Sequence, residues 1–312
     1  MPEGHTIHRL ADQVGQLFVG RLWQVSSPQG RFDAGAARLS ARTPQRAQAW
    51  GKHLLVHLGP DIWHVHLGLY GAFSFRGDES FTGAATIGAP RSIAQRLNQG
   101  YDKEGWIIPE PPTGAVRARV HVPNGWADLR GPAKCEVLNP MQYEALIARL
   151  GPDPLRQPDG GIQQELCEQF RANLARRRVS IAAALMDQAV IAGVGNIYRA
   201  ESLFVERIDP DTAAHQLTPQ QVSSLWQTLT DQLRDGVREG FIRTLRADDP
   251  HLGLRGADVH DYRVGGASRA ASGVRRHWVY QQQGTPCLRC AETLRMRELQ
   301  GRRLYWCPGC QR

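Results

Sequence analysis

Apolar residues recur at helical spacing over residues 4–19, where Ile7, Leu10, Val14, Leu17 and Phe18 fall on one face. The rhythm then changes to short β-type runs from about 21 to 75: HLLVHL at 53–58, WHVHLGLYG at 63–71 and AFSF at 72–75. Gly and Pro punctuate these runs, which predicts a meander of antiparallel strands. Residues 76–114 carry mixed signals and predict a long loop, whereas AVRARVHV (115–122) alternates as a strand. Beyond it the period returns to that of a helix. In NPMQYEALIARLGPDPL (139–155), Asn139 is placed to cap, Pro140 to start and Gln142 to close a capping box, with Gly151-Pro152 as the stop. A second helix is predicted over 163–177, with Leu166, Phe170 and Leu174 on one face. The clearest spans 217–240: Thr218 caps it, Pro219 starts it, and Val222, Leu225, Trp226, Leu229, Leu233 and Val237 form its stripe. Residues 246–276, rich in Gly, Ala, Ser and Arg, read as a flexible basic linker. The order is a β-rich half, a helical middle and a cysteine-bearing tail, with no internal repeat.

Length and composition narrow this little: 312 residues suggest about two domains, and the 41% hydrophobic content is ordinary. No run approaches the ~18 apolar residues of a membrane span, and the start lacks the basic and apolar regions of a secretory leader. The expectation is a soluble cytoplasmic protein with no membrane partner. Charge says more. Against 30 acidic residues stand 38 basic ones, a net +8 that favours polyanionic partners, nucleic acid first. Only Lys52, Lys103 and Lys134 are lysines. Arginine replaces lysine as a surface charge but not as a titratable amine, so each lysine is a candidate for chemistry.

Six cysteines stand at 135, 167, 287, 290, 307 and 310. The first two read as core thiols. The other four form CLRC (287–290) and CPGC (307–310), separated by 16 residues. Each C-x-x-C turn aims two thiolates at one point, and four complete a closed tetrahedral zinc shell without a catalytic opening. The rivals are a redox dithiol and an iron–sulfur site. RRLYW before Cys307 predicts a β-hairpin between the pairs, with Arg302 and Arg303 on it. In IAGVGNIYRAESLF (191–204), Gly193, Gly195 and Asn196 precede a helical run, a pattern that suits a phosphate at a helix N-terminus and equally suits a structural turn. Pro2, in MPEGHTIH, is either a helix starter or, once Met1 is removed, a reactive terminal amine.

Three separated segments then agree. MPEG at the start, GVGNIYRAESLF in the middle and a four-cysteine finger ending YWCPGCQ resemble the formamidopyrimidine-DNA glycosylase / endonuclease VIII family, and GKHLLVHL, HLGLYG, LGPDPL and VYQQQGTPC extend the match over nearly the whole chain. The resemblance implies an α+β fold: an N-terminal two-layered β-sandwich flanked by helices, a helix–two-turns–helix module and a zinc-finger β-hairpin. It suggests domains at 1–134, 135–275 and 276–312. It implies a bifunctional glycosylase/AP lyase that removes oxidised bases from DNA, with one structural zinc and no redox or organic cofactor. Damaged DNA, duplex or single-stranded, is the implied partner of a monomer located at the bacterial nucleoid.

Carried over residue by residue, the family's catalytic proline matches Pro2, its adjacent glutamate Glu3 and its active-site strand lysine Lys52. The asparagine of the helix–two-turns–helix matches Asn196, and the finger arginine matches Arg302. Leu69 and Tyr70 match the side chains that endonuclease VIII-like members wedge into the base stack, and Arg130 in DLRGP matches an Asp-x-Arg of the guanine-lesion branch. The chain also departs from the family. His5-Thr6 replace a second Pro-Glu, Gly68 stands for a wedge glutamine, and Gln281-Gln282 replace Gly-Arg. These matches imply attack by the Pro2 amine at C1′, since an α-amino group titrates near ~8 and is partly neutral at physiological pH. Glu3 would shuttle protons, Lys52 would hold a phosphate or sugar oxygen, and binding would weaken steeply with salt. An oxidised-pyrimidine enzyme is the leading expectation. The alternatives are an 8-oxoguanine/formamidopyrimidine glycosylase, a non-catalytic lesion binder and a zinc-finger transcription factor.

Overall fold

A computed structural model describes residues 2–89, 100–156, 163–245 and 275–312. Internal contacts group the chain into two units, Met1–Leu150 and Gly151–Arg312. Most of the linker expected at 246–276, and the centre of the loop expected at 76–114, lie outside the described residues.

The first unit opens with α1 (Gly4–Phe18), which buries the stripe its sequence predicts. There follow β1 (Gln24–Ser26), α2 (Asp33–Leu39), β2 (Arg46–Trp50), β3 (His53–Leu58), β4 (Asp61–His66), β5 (Ala72–Gly77), β6 (Thr86–Gly88), β7 (Val116–Val122), β8 (Gly125–Arg130), β9 (Lys134–Leu138) and α3 (Pro140–Ile147). The strands form two antiparallel sheets, β1-β7-β8-β5-β6 and β2-β3-β4-β9. Leu54, Val56, Trp63 and Val65 of the second sheet share one core with Phe73, Val120 and Leu129 of the first, and α1 adds Leu10 and Val14. Trp63 meets Trp23 and Phe73 edge-on at 5.8 and 5.9 Å, the geometry aromatic quadrupoles favour. A smaller core on the outer face of the second sheet joins Leu55, Ile62 and Leu138 to Leu146 of α3. Asn139 and Gln142 make the reciprocal capping box expected of them, at 2.8 and 2.9 Å.

Several elements break the sequence-based outline, among them β6, a strand inside the 76–114 stretch expected to contain a long loop. The expected strands of 21–75 include a helix, α2, whose DAGAARL buries only Ala36 and Leu39 and so shows little periodicity. β8 was not predicted: its alternation, Ala127-Asp128-Leu129-Arg130, runs over only four residues, and Gly125 and Asp128 are poor strand formers, although the strand is buried. β9 pairs with β4, so the boundary expected at residue 134 falls at the first residue of a strand, whereas the two units divide after Leu150.

The second unit contains α4 (Gln163–Ala175), α5 (Ile181–Ala184), α6 (Asn196–Val205), α7 (Pro219–Glu239) and the hairpin β10 (Arg295–Leu299)–β11 (Arg302–Trp306). α7 begins at its predicted Thr218 cap and ends where Gly240 turns left-handed at φ 85°. Its stripe packs with Phe170, Leu174, Tyr198 and Leu203. The other face of α6 supplies Ala200 and Phe204 to a core with Trp278, Val279, Leu294 and Tyr305. Glu201, fully buried, ties this second core together. Its carboxyl accepts backbone N–H groups of Trp278, Val279 and Tyr280 at 2.7, 2.9 and 2.7 Å, and the Thr244 hydroxyl. Among the described residues no helix is long and apolar enough to cross a membrane.

Candidate functional site

In the first unit, Pro2 and Glu3 are buried at the entrance to α1. Glu3 is the N-cap residue, and its carbonyl accepts the Thr6 N–H at 3.0 Å. His5 lies in the same turn, its Nε2 3.1 Å from the Thr6 hydroxyl. Burial, with the charges of Arg9, the chain's amino terminus and His8, pushes the His5 imidazole down to about 3. The first turn therefore collects a carboxyl group, a neutral imidazole and a hydroxyl beside Pro2.

Lys52 does not lie within a strand. Trp50 and His53 close a hairpin whose two-residue loop is Gly51-Lys52, with Gly51 at φ 55°. A glycine in the first loop position suits the twist of the flanking strands and leaves the lysine at the tip. The register continues outward, placing His53 opposite His66 and His66 opposite Lys134. His64 and His66, two apart on β4, look like ordinary pleat-face residues in the sequence; pairing with β3 gathers His53 and His66 at one end of the sheet, next to Lys52. Burial pushes His53 down to about 3, and His57 and His66 to about 4.

These shifts have a consequence for the whole chain. The unfolded histidines titrate near 6.5 and the folded ones well below, so the unfolded state binds more protons as pH falls. Stability contributed by His5, His53, His57 and His66 is complete above about 6.5 and declines below it. Denaturant midpoints of the full chain are expected to be lower at pH 5 than at pH 7; equal midpoints would contradict the assignment.

WHVHLGLYG is not strand throughout. β4 ends at His66, and a turn follows in which Gly68 adopts φ 64° and Gly71 N–H donates to Leu67 O at 2.9 Å. Leu67 anchors the turn in the core, while Leu69 and Tyr70 are 48% and 74% exposed. Two adjacent, outward apolar side chains on a pinned turn form a rigid projection. Arg130 has a different setting. It donates to Ser74 Oγ at 2.7 Å and to Asp128 at 2.9 Å, and Asp128 also receives Arg119 bidentately at 2.6 and 2.9 Å. Together they line a cleft of about 640 Å³.

In the second unit, Gly193 turns at φ 95° ahead of α6. Asn196, in the first turn of that helix, is buried; its Nδ2 donates to Arg303 O at 3.0 Å and its Oδ1 accepts from Arg199. Sequence reasoning missed this link between the glycine turn and the finger hairpin. Gln300 and Gly301 form the hairpin tip with φ 50° and 70°, and the adjacent Arg302 and Arg303 are exposed. Below them the sulfur atoms of Cys287, Cys290, Cys307 and Cys310 all lie within 4.8 Å of one another. Cys287–Cys310 is 3.8 Å and Cys290–Cys307 3.4 Å; a tetrahedron with ~2.3 Å metal–sulfur arms has edges of about 3.8 Å. Crowding splits the thiols: a hydrogen bond with Cys307 draws Cys287 down to about 5, while burial pushes Cys310 up to about 12. A divalent cation would relieve that conflict. A Cβ at Gly309 would sit 2.9 Å from Cys290 Sγ, so the CPGC turn needs its glycine to let the sulfur approach.

Comparison with known proteins decides the family. Residues 1–99 match the formamidopyrimidine-DNA glycosylase N-terminal domain, and residues 150–246 match the formamidopyrimidine-DNA glycosylase H2TH domain. Endonuclease 8 1 of Mycobacterium tuberculosis is 37% identical over the whole of both chains. The chain belongs to the formamidopyrimidine-DNA glycosylase / endonuclease VIII family. Its members are DNA-repair glycosylases. Formamidopyrimidine-DNA glycosylase of Parasynechococcus marenigrum is 29% identical, covering 100% of this chain and 99% of its own. The fold matches that of Lactococcus lactis formamidopyrimidine-DNA glycosylase bound to DNA containing an abasic site, with TM-score 0.68, 18% identity and 99% of each chain covered. Within this glycosylase family, Pro2, Glu3, Lys52, Leu69 and Tyr70 fall in the matched N-terminal segment and Asn196 in the helix–two-turns–helix segment.

Proposed function

We propose that this family member is a bifunctional DNA glycosylase and AP lyase acting on oxidised bases, pyrimidines first. The observation that carries the reading is Pro2, directly behind Met1 and followed by a buried Glu3, in a chain alignable end to end with an endonuclease 8. Freed of Met1, Pro2 offers a secondary amine. Its lone pair attacks C1′ of the damaged nucleotide, the base departs and an iminium forms. Loss of the 2′ proton then permits β-elimination of the 3′ phosphate, and δ-elimination releases the 5′ phosphate. Glu3 moves protons at the sugar ring oxygen, and Lys52 holds an oxygen beside the reacting carbon. Asn196, Arg130 and Arg302 contact the backbone of damaged DNA, bound as duplex or single strand by a monomer. Zinc is the metal suited to four thiolates in a closed shell.

A panel of thymine glycol, dihydrouracil, 8-oxoguanine and AP-site duplexes tests the substrate class. Faster excision of the two pyrimidine lesions is expected; preferential excision of 8-oxoguanine would overturn the pyrimidine preference and favour the guanine-lesion alternative.

Leu69 and Tyr70 fill the gap left by an extruded nucleotide, whose unstacking costs a few kcal/mol. The double variant Leu69→Ala, Tyr70→Ala should slow excision of a paired lesion by about 10-fold or more, since burying each large side chain contributes roughly 1.5–3 kcal/mol. Cleavage at a preformed AP site in single-stranded DNA should change little, because nothing need be unstacked. Equal losses on both substrates would assign the pair to another role.

A further inference from the structure

Three elements of the second unit meet at the side chain of Arg199, which follows Asn196 by three residues on α6 and is only 1% exposed. Its guanidinium donates to Asn196 Oδ1, to Arg303 O of β11 at 3.2 Å and to Ala182 O of α5 at 3.4 Å. Asn196 itself donates from Nδ2 to the same Arg303 O at 3.0 Å. One carbonyl of the finger hairpin thus holds both side chains. Leu304, the next residue of that hairpin, packs with Tyr198 of α6 in the core of this unit.

A guanidinium only donates. The oxygen of the Asn196 amide therefore faces Arg199, and the nitrogen is its other arm. Nδ2 carries two hydrogens, of which Arg303 O takes one. Among the described residues the second meets no acceptor, although Asn196 is 7% exposed. Buried donors are satisfied as a rule, so a nearly buried amide with a hydrogen to spare suits an acceptor arriving from outside. The turn before it offers less. Gln188 Oε1 accepts the Gly193 N–H at 3.0 Å, and its Nε2 donates to Val194 O at 3.0 Å. Gln188 pins the glycine turn and uses up one of its donors, which leaves the side chain of Asn196 to meet the anion.

We infer that Arg199 is a positioning residue for DNA binding, an inference that rests on the reading of Asn196 and Arg302 as DNA contacts. Arg199 fixes the Asn196 amide with its spare hydrogen toward a phosphate, and it ties that donor to the hairpin that carries Arg302. Arg199 acts through Asn196 and touches no phosphate itself. Without it the amide oxygen loses its partner and the group turns about its last torsion. Lone pairs then replace the hydrogen in front of the phosphate, and the contact is lost.

The affinity of the full chain for a duplex carrying a tetrahydrofuran abasic site, measured over a range of salt, tests this. Asn196→Ala should weaken binding by about 10-fold, the effect of losing one hydrogen bond to a charged group. Arg199→Met should weaken it as much in the wild-type chain. In the Asn196→Ala chain it should cost less than about 2-fold, because the amide it acts through is gone. Salt gives a second readout. Removing an arginine that bound phosphate directly would lower the slope of log affinity against log salt by about 0.9; Arg199→Met should leave the slope unchanged. Arg199→Lys keeps the charge and lacks the planar fork, so its affinity should fall between those of wild type and Arg199→Met. Carried through the same pair of backgrounds, it keeps the test open should Arg199→Met fold poorly. Equal losses in the two backgrounds, or a shallower slope, would overturn the positioning role alone. Wild-type affinity in Asn196→Ala would remove Asn196 from the DNA contacts, and the role of Arg199 with it.

Discussion

Pro2→Gly is expected to abolish borohydride trapping on AP-site DNA and to lower strand cleavage by more than about 10³-fold, as loss of a nucleophile does elsewhere. The chemistry depends on the amine. Proline presents a secondary amine held in a ring, whose iminium needs no further proton loss at nitrogen, and the ring keeps that nitrogen from rotating freely at the mouth of α1. Glycine leaves a primary amine on a freely rotating end. A chain carrying one extra residue before Pro2 should be equally inactive, because the nucleophile becomes an amide, while its fold and DNA affinity persist. The trapping rate of the wild type should rise with pH and level off above the range of an α-amino group, near ~8, since only the neutral amine attacks. His5, pushed down to about 3, stays neutral across that range and adds no inflection. Trapping of Pro2→Gly at the wild-type rate would transfer the nucleophile's role to another amine, with Lys52 the first to test.

Cys287→Ser should cost nearly as much, by another route. Zinc analysis of the wild type is expected to give about one ion per chain, and of the variant almost none. Cys287 and Cys307 are buried against Leu294, Tyr305 and Phe204, and the hairpin between the cysteine pairs is only β10 and β11. So small a unit cannot fold on apolar burial alone; metal binding in such domains supplies roughly 10–16 kcal/mol. Without it Arg302 and Arg303 no longer hold fixed positions. Removing a charge-assisted hydrogen bond to phosphate weakens DNA binding by about 10-fold. The N-terminal unit has its own core and should keep its circular dichroism and unfolding profile. Normal DNA affinity in a zinc-free variant would show that the finger does not hold the DNA.

Parts of this molecule that depend on neighbours in sequence were legible without coordinates. The capping box of α3 joins residues three apart, so Asn139 and Gln142 announce it, and the Thr218 cap of α7 is legible in the same way. The α1 stripe and the two C-x-x-C pairs are local in the same way. β8 was not legible, because its alternation covers only Ala127 to Arg130 and includes Asp128, a poor strand former, after Gly125. Lys52 was visible as a rare lysine but not as a hairpin tip, since that depends on Trp50 pairing with His53.

The sequence by itself determined the chemistry on offer: a proline at position 2 beside a glutamate, three lysines among many arginines, and a closed set of four thiols. Those are properties of residue type and short spacing, which no fold alters. Only the tertiary structure decided which groups meet. Strand register brought His53, His64, His66 and Glu136 together from three strands, and helix packing tied Asn196 to the carbonyl of Arg303. A turn pinned at Leu67 left Leu69 and Tyr70 projecting from the surface. Such pairings join residues far apart in the chain, and their geometry arises only when the sheets and helices that carry them bury a common core.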